Sequence, residues 1–413
     1  MLICKLPEGI RKVSDQYKSL CAAADIGFAN TTALFTYFLF GCSSLSQLAR
    51  QHVQSPSVSE LSEAVKKFPG SRFMRRCRSS ILRKYDGQLS PDDFVFAIDD
   101  TDNPRYGKKI YGCGNWVAKH SGYFGQKVLV LVLVDIKRRI ALPLSYAFLF
   151  NKDHPEYENA LKKAIFLIDE CLESGFPKLP VVADSWFDSV DLMQEFMDRG
   201  MTYVAEVKSK RLAKIGSGQW VRYKKLPSIF QSPHGEVYAR PLDKNRGRGR
   251  PKLRFTESRV LQIKNLKTPV KIVGVFNKRS STIAFAYYAS TDRTMPGATV
   301  WKIFRSRWCI EVLFRDLKQN LSFGKLPCAG KNASDLAVCL PLVLIVSLRT
   351  RPGLWQMEEN LTIGTMVERI RSRTLDKSIA ALSIEASKKL RTLVMARRDP
   401  SRVNKKPVNR AAA

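Results

Sequence analysis

Acidic side chains are scarce in this sequence: 37 Asp and Glu face 69 Lys and Arg over 413 residues, a net charge of +32. A surplus of that size repels itself, and contact with a polyanion such as nucleic acid is the common reason to tolerate it. Histidine is scarcer still. The four residues, His52, His120, His154 and His234, form neither a His-x-His pair nor an H-E-x-x-H motif. That argues against zinc hydrolases and against tyrosine-nucleophile enzymes that hold a metal through paired histidines. The nine cysteines are scattered without a C-x-x-C pair, which excludes a zinc ribbon or redox dithiol and suits a reducing cytosol. No G-x-x-x-x-G-K-[ST] loop is present for nucleotide hydrolysis. The longest apolar runs, such as Leu340–Leu348, fall short of the roughly 18 residues of a membrane span, and Glu8, Arg11, Lys12 and Asp15 interrupt the N-terminus where a signal peptide would be apolar. The expectation is a protein that is neither exported nor membrane-spanning.

What is present is an ordinary globular composition, 45% hydrophobic and 26% charged, long enough for two or three domains. One stretch organises the rest. Trp301 to Leu321, WKIFRSRWCIEVLFRDLKQNL, lacks Pro and Gly and reads as a single amphipathic helix. At about 100° per residue, Ile310, Leu313, Leu317 and Leu321 form an apolar stripe within roughly 80°, and Phe304, Arg307, Glu311 and Lys318 share a second face within roughly 60°. A carboxylate between Arg and Lys on a rigid element suits a metal ligand that meets a phosphodiester. The competing reading is an i, i+4 ion pair on a solvated face.

Residues 1–88 look helical and basic. Ser46–Val53 and Ser57–Lys67, separated by Ser55-Pro56, resemble a helix-turn-helix, the second segment opening on the cap-like SVSE; an ordinary helical bundle fits the pattern as well. A third segment carries Arg72, Arg75, Arg76, Arg78, Arg83 and Lys84. From Phe94 the pattern turns to strands: Phe94–Ile98 ending in Asp99-Asp100-Thr101, Lys127–Asp135, Ile140–Phe150, a helix over Glu156–Ser174, a strand Leu179–Ala183 ending at Asp184, a helix Val190–Arg199 and a strand Thr202–Val207. Acids at strand ends sit where short loops reach solvent beyond a rigid sheet, although any single one more commonly caps a turn. Residues 209–295 carry repeated Gly and Pro and short β-like runs, and read as a β-rich insertion. Inside it Arg248-Gly249-Arg250-Pro251-Lys252 has the form of an AT-hook, whose Arg248, Arg250 and Lys252 enter a narrow A·T minor groove; a basic loop on phosphates is the alternative. Ala333–Arg349 reads as a buried helix, and the end of the chain, from Lys388, is dominated by Lys and Arg.

A phosphodiester repels nucleophiles and has a poor leaving oxygen, and two divalent ions about 3.5–4 Å apart address both problems. Such a pair needs several carboxylates converging from separate elements, and Mg²⁺ prefers oxygen ligands. Two strand-end aspartates and one helix glutamate supply them.

Phe304-x2-Arg307-x3-Glu311-x6-Lys318, with Trp308 and Phe314 in the same stretch, resembles the Tyr-x2-Arg-x3-Glu-x6-Lys signature of the cut-and-paste DDE transposases of bacterial insertion sequences, family four and its close relatives. The match extends to Ala97-Ile98-Asp99-Asp100-Thr101 and to Val181-Val182-Ala183-Asp184, covering roughly residues 90–350. It implies an α/β fold: an RNase H-like mixed sheet core interrupted by the β-rich insertion, with a helical N-terminal DNA-binding domain and a basic helical C-terminal region. The corresponding segments are 1–88, 89–208, 209–295, 296–350 and 351–413. It implies that Asp100, Asp184 and Glu311 hold two Mg²⁺ or Mn²⁺ ions, with Asp99 the alternative first ligand because the family's metal-binding aspartate directly precedes a Thr. Alternation along a strand lets only one of the two aspartates readily meet the other ligands. Arg307, Lys318 and Trp308 are implied to hold DNA near the cut. The partners implied are double-stranded DNA, as the element's inverted-repeat ends and its target, and a second copy of the chain in a synaptic homodimer; the location implied is the cytoplasm, on the bacterial nucleoid. Phe304 stands where the signature has tyrosine, so that hydroxyl's hydrogen bond is missing here. A nuclease that cuts without joining, or a non-catalytic DNA-binding descendant, remain the alternatives.

Overall fold

The computed structural model describes residues 6–52, 55–105, 107, 109–117, 122–208, 211–214, 218–222, 230, 235–239, 252–281 and 283–398. Five helices come first: α1 (Glu8–Ala22), α2 (Phe28–Phe40), α3 (Leu45–Gln51), α4 (Val58–Lys66) and α5 (Gly70–Lys84). The SVSE signal works as expected. Ser57 Oγ accepts from the Glu60 amide at 3.2 Å while Glu60 Oε2 accepts from the Ser57 amide at 2.8 Å, closing a capping box that starts α4. Of the basic residues of α5, Arg78 is not on a solvated face: it is buried, donating to Ser174 Oγ at 3.1 Å and to the Leu144 carbonyl at 3.3 Å.

Then come β1 (Phe94–Pro104), β2 (Cys113–Val117), β3 (Gly122–Asp135), β4 (Ile140–Leu149), α6 (Ala160–Glu173), β5 (Val181–Ala183), α7 (Val190–Asp198) and β6 (Tyr203–Glu206). The continuous Val/Leu run of β3 is buried from Val128 to Val134, as a strand covered on both faces must be. Strand β1 is longer than its apolar run: it pairs with β3 antiparallel from Phe94↔Asp135 to Pro104↔Gly125, carrying Asp99 and Asp100 inside the ladder rather than beyond it. Strand β2, only five residues long, carries no clear apolar period and escapes a pattern-based reading.

The remaining elements are β7 (Leu212–Lys214), β8 (Val221–Arg222), β9 (Gly235–Ala239), β10 (Lys252–Ile263), β11 (Val270–Phe276), β12 (Ala286–Ser290), α8 (Gly297–Ser306), α9 (Trp308–Asn320), α10 (Lys331–Thr350) and α11 (Ile363–Arg398). The strands form one mixed sheet in the order β2-β3-β1-β5-β6-β12-β11-β10-β7-β8, with β4 beside β3 and β9 beside β10. The β-rich segment is thus hydrogen-bonded into the core sheet, β12 pairing antiparallel with β6 at Tyr288↔Glu206. Helix α10 has the length and apolarity of a membrane span, but 89% of that window is buried inside the fold, where it packs on α2, α4, α5 and β4. The N-terminal helices are therefore part of the same packed body. At Gly9 the backbone approaches the Trp355 ring so closely that a Cβ would lie 2.4 Å from it, which explains why α1 carries glycine there.

Candidate active site

The register of the parallel strands assembles the acids. β1 and β5 pair Phe96↔Val181, Ala97↔Val182 and Ile98↔Ala183, so Asp99 and Asp184 are the next residues on neighbouring strands. β5 and β6 pair Val182↔Val204 and Ala183↔Ala205, so Glu206 follows in turn. Glu206 was not anticipated, though the sequence carries its signal: Val181-Val182-Ala183-Asp184 and Tyr203-Val204-Ala205-Glu206 are the same apolar run closed by an acid. Asp184 also has the capping role common at strand ends, its Oδ1 accepting from the Trp186 amide at 2.8 Å as a short 3-10 turn begins.

Because β5 stops at Ala183, β1 beyond Ile98 is paired on one edge by β3 and leaves its other edge to a helix. Helix α9 takes that place, with Lys318 Nζ donating to the Asp102 carbonyl at 2.7 Å. The expected single helix over Trp301–Leu321 is in fact two, α8 and α9, divided at Arg307. The backbone tightens there: the Arg307 amide bonds to the Phe304 carbonyl at 3.1 Å and the Ile310 amide to the Arg307 carbonyl at 2.9 Å, the i−3 pattern of a 3-10 turn. Ser306 Oγ takes the Ile303 carbonyl at 2.6 Å, competing with the ladder just before the break. Nothing in side-chain periodicity announces such a one-residue break.

Arg307 is the hub. Its Nη1 donates to Asp99 Oδ2 at 2.7 Å and its Nη2 pairs with Glu311 Oε1, joining a strand carboxylate to a helix carboxylate. Its Nε is buried without a partner among the described residues. Asp100 has a different cation: its Oδ2 lies 3.0 Å from Lys127 Nζ, which also reaches Asp102 at 3.6 Å. Asp99 thus belongs to the Arg307–Glu311 group and Asp100 to the Lys127–Asp102 group, as strand alternation requires of neighbours.

Burial pushes the Asp99 carboxyl up to about 7 against the pull of Arg307, with smaller repulsion from Asp184 and Asp100. Burial also raises Asp100 against the pull of Lys127, and raises Glu206 against that of Arg307. Lys318 is lowered by burial, with Asp102 and Asp100 working the other way. The acids here offer only hard oxygen atoms, the donor type that Mg²⁺ or Mn²⁺ prefers. Among the described residues, no three His, Cys, Asp or Glu side chains yet stand close enough to hold an ion. The Arg307 guanidinium lies between Asp99 and Glu311, where it balances their charge.

The other candidates are dispersed. Trp308 begins α9 with its indole Nε1 buried and unpaired, and the Phe304 ring packs against Tyr288 at 4.3 Å. Arg248 and Arg250 lie outside the described residues; Lys252 opens β10, its side chain likewise outside the description. The basic tail beyond Arg398 is also outside it.

No curated protein matches this chain. Among solved structures, one similar to it is the cryo-EM structure of a piggyBac transposase synaptic complex with hairpin DNA, at 12% identity and a TM-score of 0.44, covering 86% of this chain and 73% of that one; a likeness so loose bears on neither substrate nor intermediate. The transposase DDE domain family model matches residues 90–346, the span that holds Asp99, Asp184, Arg307 and Glu311. With more than half its length in that match, the chain belongs to the transposase DDE-domain family.

Proposed function

We propose that this transposase cuts and pastes an insertion sequence, cleaving at the element's terminal inverted repeats and joining the freed ends to target DNA, on an RNase H-like core. Asp99, Asp184 and Glu311 are the carboxylates that hold two divalent ions, Mg²⁺ or Mn²⁺, and Glu206 lies beside them. The observation that carries the reading is the parallel register that sets Asp99 level with Asp184, together with the Arg307 contact that ties Asp99 to Glu311. Asp100, the choice the family resemblance favours, pairs with Lys127 on the other side of β1 and is the alternative ligand.

When bound, the ions supply an activated attacking oxygen and a stabilised leaving oxygen. The protein's own part is positional. β1 and β5 fix two carboxylates on a rigid sheet, α9 brings the third, and Arg307 exchanges a carboxylate for a DNA phosphate as substrate enters. Lys318, fixed on the Asp102 carbonyl in the free protein, offers a second cation along the same groove. Two ends cut by one reaction imply two copies in the synaptic complex. Incubating the protein and Mg²⁺ with a precut inverted-repeat end and a plasmid tests the reading. Joined products are expected; nicking without joining reduces the protein to a nuclease, and inertness in both assays rejects the reading.

A further inference from the structure

The strands that lead to Asp184 and Glu206 run parallel and in register, Val182↔Val204 and Ala183↔Ala205. The chain therefore leaves the sheet at the same end twice, with Trp186 two residues past Asp184 and Lys208 two residues past Glu206. Trp186 is 50% exposed, and its ring meets that of the buried Phe187 in a T-shaped contact with centroids 4.8 Å apart. A single exposed ring is ordinary on a protein surface. This one is set apart by its place beside the acids and by how firmly its backbone is held.

The Ser185–Phe187 turn is tied from several elements. Besides the Asp184 cap on the Trp186 amide at 2.8 Å, the Tyr203 hydroxyl donates to the Phe187 carbonyl at 3.0 Å. Lys208 Nζ donates to the Trp186 carbonyl at 3.1 Å and to the Asp188 carbonyl at 3.4 Å. The buried Asp188 carboxylate in turn accepts from the Lys208 amide at 2.9 Å and pairs with Arg211 Nε at 3.0 Å. An indole on so constrained a backbone has little further freedom to lose when a flat partner stacks on it, which is what a preorganised contact requires. Lys208 itself is exposed, and its ammonium has three protons for those two carbonyls.

We propose that Trp186, with Lys208 beside it, is a stacking platform for an unpaired nucleobase of the DNA strand that meets the carboxylates. An indole face stacks on any base, and the neighbouring cation takes the adjoining phosphate. A flat aromatic ligand with an attached anion uses both groups, whereas an apolar protein segment would use the ring and leave the ammonium without a counter-charge. The inference deepens the proposed cleavage reading and rests on it for why DNA lies here. A base drawn out of the stack lets the strand bend toward carboxylates fixed on a rigid sheet.

The test uses full-length protein carrying Glu311→Gln in EDTA, so that metal chemistry does not enter; the joining assay decides the cleavage reading separately. The probes are a blunt DNA duplex, the same duplex with one extra unpaired thymidine, and a third with an abasic residue at that position. The Glu311→Gln protein should bind the thymidine-bulged duplex about tenfold tighter than the paired one, Trp186→Ala should abolish that preference, and Trp186→Phe should restore most of it. Melting of each variant checks the fold, and Trp186→Phe keeps a ring against Phe187. A preference that survives Trp186→Ala, or none before the substitution, overturns the platform. An equal preference for the abasic duplex shows that flexibility and not the base is read, and overturns the base assignment. Equal loss on all three duplexes makes Trp186 a general DNA contact and overturns it as well.

Discussion

Two adjacent aspartates in the middle of β1 occupy different electrostatic settings. Asp99 shares Arg307 with Glu311, while Asp100 shares Lys127 with Asp102. Both are raised by burial, yet only the Asp99 group connects the strand ends to α9 through a single guanidinium. Alternation of side chains along a strand turns neighbours in sequence into members of separate clusters. Arg307 joins carboxylates from two separate elements, whereas Lys127 of β3 ties together two acids of β1.

The largest effect should come from Glu311→Gln, which removes a metal-binding charge at constant size. Cleavage of an inverted-repeat end in Mg²⁺ should fall on the order of a thousandfold or more while DNA affinity stays near wild type. Turnover within tenfold of wild type would remove Glu311 from the site. The sharper comparison is Asp99→Asn against Asp100→Asn, assayed for Mg²⁺-dependent nicking. Asp99→Asn should match Glu311→Gln, and Asp100→Asn should retain more activity; the reverse order moves the ligand to the Lys127 side of the strand.

Arg307→Ala should reduce cleavage more than binding and lower the salt slope by about one phosphate contact, and Arg307→Lys should restore little, because one ammonium does not span Asp99 and Glu311 as a guanidinium fork does. An unchanged slope would leave Arg307 a purely structural partner of the acids. Smallest is the basic loop. Replacing Arg248 and Arg250 with Ala should weaken binding by several-fold on A·T-rich duplexes and less on G·C-rich ones; equal losses would make the loop a plain phosphate contact.

Much of the architecture was legible in residue order because local periodicity writes it directly. The Val/Leu run of β3, the SVSE box of α4 and the apolar stretch of α10 each bury or cap in the way their spacing requires. The acids Asp100, with Asp99 its alternative, Asp184 and Glu311 stood out because each follows an apolar run or sits between basic residues. Their grouping was not legible. The division of α8 from α9 at Arg307 depends on one serine hydroxyl and two tightened backbone bonds, and Glu206 gains meaning only because β6 lies beside β5.

The sequence alone determined the charge surplus, the alternation of strand and helix, and which carboxylates end apolar strands, since composition and period are local properties. Only the tertiary structure decided that β12 joins the β-rich segment to the core sheet, that Arg78 is buried, and that Arg307 turns to Asp99 rather than Asp100. Those outcomes depend on strand register and on side-chain direction across hundreds of residues of separation, where a shift of one residue would exchange the two aspartates without altering any local pattern.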